Sequence, residues 1–206
     1  MVHGGQMKHP CWLNRRAAEY MEEYRMAQEQ LAVLNTTLSG HHCQPPPQNM
    51  YKLNFDAAMF MEQQRSGVGA IIRNAQVEVM AGMSAKGPYV RNSEEAEALA
   101  YQQLVVFAME AGFLELVVEG DNNTMMRAIS GLSCHNSLLG HIYDDICVYL
   151  NGMQQTSVSC IKRRGNMVAH SLAKYARNID DVVYWIEDSP PPAMEALYQD
   201  SLHIIE

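Results

Sequence analysis

The sequence predicts a mixed α/β domain, a sheet with helices on its faces. Two observations carry that reading: short segments alternate polar and apolar residues with a period of two, and longer segments between them bear helix caps and stops. Lys52 to Ala58 sets Leu53 and Phe55 against Asn54 and Asp56, the pattern of a strand. Gly67 to Arg73 (GVGAIIR) and Val77 to Ser84 are the next two strands, joined by an Asn74-Ala75-Gln76 turn into a hairpin meander. Ser93 to Ala111 is a helix in which Ser93 can cap the N-terminus, Glu94 to Glu97 favour the positive end, and Gly112 stops it. Leu114 to Glu119 is a strand, Asp121 to Ile129 a short helix and Ile142 to Leu150 another. Ser157 to Ile161 is the final strand and Asn166 to Arg177 the last helix. That order of elements implies a sheet with helices on its faces.

Ahead of this domain, residues 1–10 are Gly- and His-rich and are expected to be a disordered N-terminus. Residues 11–38 form a separate amphipathic helix. Within it Leu13, Ala17, Tyr20, Tyr24, Ala27, Leu31 and Leu34 recur in steps of four and three, an a/d pattern. That stripe suits either an amphipathic helix packed on its own domain or a self-associating coiled coil that would make a homodimer through residues 13–34. Residues 39–50, with Pro45-Pro46-Pro47, form a linker that cannot continue a helix. Residues 51–177 are the α/β domain and 178–206 an acidic C-terminal extension.

Composition excludes several classes of protein. The chain has 206 residues, 48% hydrophobic and 18% charged, with a formal net charge of −8, ordinary for a globular protein. No apolar run approaches the roughly 18 residues a membrane span needs, and there is no signal-peptide h-region. The five cysteines (Cys11, Cys43, Cys134, Cys147, Cys160) are scattered, without the paired spacing of a zinc site or a disulfide framework. Reduced thiols in the nucleus or cytoplasm are expected. Residues 178–206 contain seven acids and no Lys or Arg, so the acidity is largely a tail effect. A near-neutral middle region can still bind a polyanion if its charges segregate by face.

Three acids stand where a strand or helix bound for a core should not carry one. Asp56 interrupts the first strand, Glu97 lies in the first long helix, and Asp121 ends the fourth strand. If the first and fourth strands are neighbours with the helix packed across them, the three carboxylates converge. Carboxylates that close repel and raise one another's pKa, and divalent cations are what stabilise them as a cluster. Hard oxygen donors of this kind suit Mg2+ or Mn2+.

Five blocks, KLNFDAA, GVGAIIRN, SEEAEALA, LVVEGDNN and RRGNMVAHSLAKYA, match in order and spacing the ribonuclease H type-1 domain over residues 51–177. They look most like its plant reverse-transcriptase-like branch, whose members often continue with a Trp-Ile-Glu-Asp-x-Pro stretch such as Trp185 to Pro190. The resemblance implies an RNase H-like fold, a five-stranded mixed sheet flanked by helices. It places the family's metal-binding acids on Asp56, Glu97 and Asp121 and implies two Mg2+ or Mn2+ ions. One would hold the attacking water and the other would stabilise the departing 3′ oxygen.

The carry-over has gaps. The family's fourth carboxylate belongs in an Asn-x-x-x-Asp-x-Leu-Ala context. Here that context starts at Asn166, and His170 replaces the acid. The family's His-bearing loop is absent, so His170 is the candidate proton shuttle or weak ligand, with a structural histidine as the plain alternative. Lys162, Arg163 and Arg164 could contact backbone phosphates or simply be solvated. Asn122 starts a helix beside Asp121, so its N–H could meet a phosphate, and Asn166 is assigned to the same nucleic-acid face. Glu94 and Glu95 serve the helix dipole, and Glu119 is expected to face solvent.

Two functions follow. One is a metal-dependent endonuclease that hydrolyses RNA in RNA–DNA hybrids, selecting them by shape and 2′-hydroxyl contacts. The other is a weakened or inactive RNase H-like module for nucleic-acid or protein interaction, dimerising through its N-terminal helix.

Overall fold

The computed structural model describes residues 44–63, 65–130 and 139–202. The predicted N-terminal helix and its dimer seam lie outside them. The element order matches the expectation, with one strand and one helix more. Strands are β1 (Tyr51–Phe60), β2 (Arg65–Arg73), β3 (Val79–Gly87), β4 (Glu115–Gly120), β5 (Gln155–Cys160) and β6 (Val183–Ile186). Helices are α1 (Ser93–Glu110), α2 (Asn123–Ile129), α3 (Gly140–Asn151), α4 (Met167–Tyr175) and α5 (Met194–Leu202).

The sheet has six strands, not five, in the order β5-β4-β1-β2-β3-β6. β1, β2 and β3 form the antiparallel meander, while β1–β4 and β4–β5 are parallel. The extra strand comes from the Val-Tyr-Trp-Ile run in the acidic C-terminal stretch, which pairs antiparallel with β3 (Ala81↔Ile186, Met83↔Tyr184). Net charge is a poor guide there because the acids fall outside β6 itself.

One face of the sheet is a conventional apolar core. Leu53 and Phe55 of β1, Ala70 and Ile72 of β2, and Leu116 and Val118 of β4 pack against Tyr101, Leu104, Val105 and Ala108 of α1. Phe55 and Tyr101 stack with ring centroids 4.7 Å apart. The N-cap of α1 is Asn92 rather than Ser93, its side chain accepting the Glu95 N–H. At the other end Gly112 takes φ 84°, a left-handed turn that favours glycine, and its N–H bonds the Met109 carbonyl.

The opposite face is covered by α4 and α5 over Ile71, Val168, Leu172 and Ala193. It also carries the polar side chains of β1. Lys52, Asn54 and Asp56 alternate onto it, all buried. Glu119, expected in solvent, is only 2% exposed. It accepts from Lys52 Nζ at 2.8 Å, Asn54 Nδ2 at 3.1 Å and Ser159 Oγ at 3.1 Å. The same network runs on from Asn54 Oδ1 to Arg73 (2.9 Å) and from Arg73 to Asp200 of α5 (2.8 Å). Glu119 does alternate with Val118, but the polar side of β4 faces a covered sheet surface rather than water.

Candidate active site

Parallel pairing fixes the site. β1 and β4 run in register with Leu53 opposite Val118 and Asn54 opposite Glu119. Two residues on from that last pair stand Asp56 and Asp121, so the two strands deliver their acids side by side. Gly120 lets the chain turn closely over Phe55: a Cβ there would lie 2.7 Å from the phenyl ring. Glu97 sits one turn before Tyr101 on α1, and the Tyr101–Phe55 stack holds that turn over β1.

Helix α4 closes the site from the other face because β2 is bare beneath it. Gly69 lies opposite Asp56 in the β1–β2 register. A Cβ on Gly69 would meet the Ala173 nitrogen at 2.1 Å and the Ala169 oxygen at 2.4 Å, and one on Gly67 would meet the Ala173 oxygen at 2.4 Å. The helix backbone thus rests directly on the strand, as glycine inside a strand permits. His170, on the adjoining turn of α4, is thereby brought to Asp56, with Nδ1 2.6 Å from Oδ2.

Arg163, in the turn before α4, completes the cluster. Its Nη1 is 3.0 Å from Asp121 Oδ2, and its Nη2 is 2.9 Å from His170 Nδ1 and 3.9 Å from Asp56 Oδ2. The carboxyl groups are only partly compensated. Burial, and then the Asp121 charge, hold the Asp56 pKa above the ordinary carboxylate value against the His170 hydrogen bond and the Arg163 charge. Glu97 is pushed up to about 7, chiefly by burial and further by Asp121 and Asp56, although the Asn122 side chain hydrogen-bonds it.

The remaining assigned residues are placed as follows. Asn122 caps α2, its Oδ1 accepting the Met125 N–H at 3.2 Å, and it also steadies Glu97. Lys162 and Arg164 are exposed beside Arg163. Asn166 does not reach the surface expected of a phosphate contact. It is 1% exposed and its Nδ2 donates to the Phe55 carbonyl at 2.8 Å, tying the start of α4 to β1 one residue before Asp56. Sequence reading missed that role, and it missed the two glycines as the bed for α4. An interior Gly-x-Gly in an apolar strand was the signal available for the latter.

Three hard oxygen donors with raised or closely placed carboxyls fit a hard divalent cation better than any softer metal. Among the described residues no three His, Cys, Asp or Glu side chains stand close enough together to hold a metal ion as they are placed. A cation would complete this cluster by neutralising it, with Asp56, Glu97 and Asp121 as the donors.

Comparison with known proteins gives a consistent result. Among solved structures, the chain is similar to RNase H1 of the archaeon Halobacterium salinarum (20% identity, TM-score 0.58), with 63% of this chain and 98% of that one covered. It is similar to the N-terminal RNase H domain of a Mycobacterium tuberculosis protein (18% identity, TM-score 0.57), covering 63% of this chain and 94% of that one. A compost metagenomic enzyme, LC11-RNase H1 in complex with RNA/DNA hybrid, matches at 17% identity and TM-score 0.52, covering 62% of this chain and 96% of that one. These likenesses show the RNase H-like fold. No curated protein matches by sequence. The model of the reverse transcriptase-like family matches residues 54–176. That span is more than half of the chain and contains all three acids, His170 and Arg163, so the protein belongs to the reverse transcriptase-like family of RNase H-like domains.

Proposed function

We propose that this chain is a metal-dependent endonuclease that hydrolyses the RNA strand of RNA–DNA hybrids. The observation that carries the reading is that parallel pairing sets Asp56, inside β1, beside Asp121, just past the end of β4, with Glu97 of α1 near enough to feel both charges and with Asp56 and Glu97 both held above their ordinary pKa. A domain that needed only to fold would gain nothing from three acids repelling one another in a half-buried place. Asp56, Glu97 and Asp121 would hold Mg2+ or Mn2+, which supplies an activated water and stabilises the departing oxygen. His170, beside Asp56, stands within proton-transfer reach of that carboxylate. Exposed Lys162 and Arg164 flank the cluster and suit backbone phosphates, which attract Lys and Arg without regard to base. Hybrid selectivity would rest on shape and 2′-hydroxyl contacts. The nucleus or the cytoplasm suits such a substrate.

The test is cleavage of an end-labelled RNA–DNA hybrid in Mg2+ and in Mn2+, beside an Asp56→Asn, Asp121→Asn double variant. Cleavage by the parent and a loss of at least about a thousandfold in the variant is the expected result, since the acids act as a unit. Folded parent that cuts in neither metal would sink the proposal.

A further inference from the structure

Three carboxylates surround the site, but the cluster already contains a cation. Arg163 donates to Asp121 Oδ2 at 3.0 Å and stands 3.9 Å from Asp56 Oδ2. Its guanidinium cannot lose its proton in a protein. His170 occupies the same carboxylate oxygen of Asp56 at 2.6 Å and brings no negative charge in either protonation state. Glu97 hydrogen-bonds the Asn122 side chain and feels the charges of Asp121, Asp56 and Arg163, so it belongs to the same charge cluster. Three carboxylates and one fixed guanidinium leave two negative charges, which a single divalent ion cancels. A second divalent ion would leave the partly buried cluster with two surplus positive charges.

From this charge count and these contacts we infer that the site takes one divalent cation, not two, with Arg163 as the built-in second cation. The inference rests on the nuclease reading for its choice of ligands, but it concerns the number of ions rather than the reaction. Arg163 sets that number. Its side chain is 58% exposed, so it is replaceable without emptying a core. The position of His170 in place of a fourth acid works in the same direction.

The experiment counts bound Mn2+ on the full chain by the electron paramagnetic resonance signal of the free ion. It compares the parent, Arg163→Gln, Arg163→Gln with His170→Asp, and Asp56→Asn, each first checked for a native melt. The parent should bind one ion, and Asp56→Asn should lose it. Arg163→Gln should bind the first ion about tenfold tighter or more, because a like charge a few ångströms away is removed. The double variant, two charges more negative than the parent, should bind two.

Two ions of similar affinity on the parent would overturn the one-ion inference while leaving the nuclease reading intact. An unchanged affinity in Arg163→Gln would overturn the role of Arg163. No Mn2+ on the parent or on Arg163→Gln would overturn the inference and the nuclease reading together.

Discussion

Glu97 is the residue whose behaviour most directly reports the state of the site. Its pKa in the folded protein, about 7, lies above the ordinary 4.5, with burial as the first cause. The folded state therefore binds this proton more tightly than the unfolded chain does. The stability it contributes is fully present below about pH 4.5 and is lost as pH rises to about 7. Without divalent metal, the melting temperature of the parent should fall relative to Glu97→Gln across that window, and the two curves should run parallel outside it. Asp56 is shifted in the same direction and adds to the trend. Saturating Mn2+ should reverse the slope, because a cation bound to the ionised carboxylates stabilises the folded state more as they lose protons. Thermal melts from pH 4 to 8 in chelator and in Mn2+ decide this. A parent curve that does not diverge from Glu97→Gln in chelator would show that the carboxyl is not raised.

At the scale of elements, the site depends on how closely α4 approaches β2. Gly69 and Gly82 are both strand glycines, and they make a matched pair. A Cβ on Gly69 meets helix backbone at 2.1 Å, whereas on Gly82 the nearest atom is the Ile71 methyl at 3.5 Å. Backbone cannot swing aside as a side-chain end can, so Gly69→Ala must push the helix off the sheet. The expected cost is about 1–3 kcal/mol or more, as for other overpacked sites. Gly82→Ala should change stability by less than about 0.5 kcal/mol. The Gly69 variant should also part His170 from Asp56, which a cross-peak between the His170 ring and α4–β1 neighbours in an NMR spectrum would register. Urea melts of the two variants side by side measure the energetic contrast. Equal costs would mean that the helix has room to yield.

Across the whole molecule, a buried polar network lies beside the small second apolar core of Ile71, Val168, Leu172 and Ala193. Lys52, Asn54, Glu119, Ser159, Arg73 and Asp200 join β1, β2, β4, β5 and α5 through side-chain bonds of 2.8–3.1 Å. Lys52 and Glu119 are nearly fully buried, with side chains 5% and 3% exposed. Breaking such a pair on one side leaves an uncompensated charge in a low-dielectric place. Glu119→Gln should therefore destabilise by about 3–5 kcal/mol, while Lys52→Met with Glu119→Leu should recover most of it. Chemical denaturation of the three proteins checks both statements. Through Asp200 the network ties the C-terminal helix to the sheet, and β6 covers the outer edge of β3. The acidic stretch is thus integral to the fold's outline, although its charge sets it apart from the rest of the chain.

The order of strands and helices, the hairpin meander and the three acids were legible in the sequence because each has a local cause. Alternation with a period of two marks a pleated strand, caps and a left-handed Gly112 mark the ends of α1, and an acid inside a buried strand is conspicuous anywhere. What only the tertiary structure decided is which polar residues meet. Whether Lys52, Asn54 and Glu119 face water depends on α4 and α5 lying over that side of the sheet, which no local pattern encodes. The sixth strand likewise exists because β3 has an open edge for Val183 to Ile186 to pair with, a contact between residues about a hundred positions apart. Arg163 and His170 become part of the acid cluster only when Gly67 and Gly69 let the helix settle onto β2. Sequence determines what each residue can offer chemically. Long-range packing determines which charges must compensate one another, because burial removes the water that would otherwise do it.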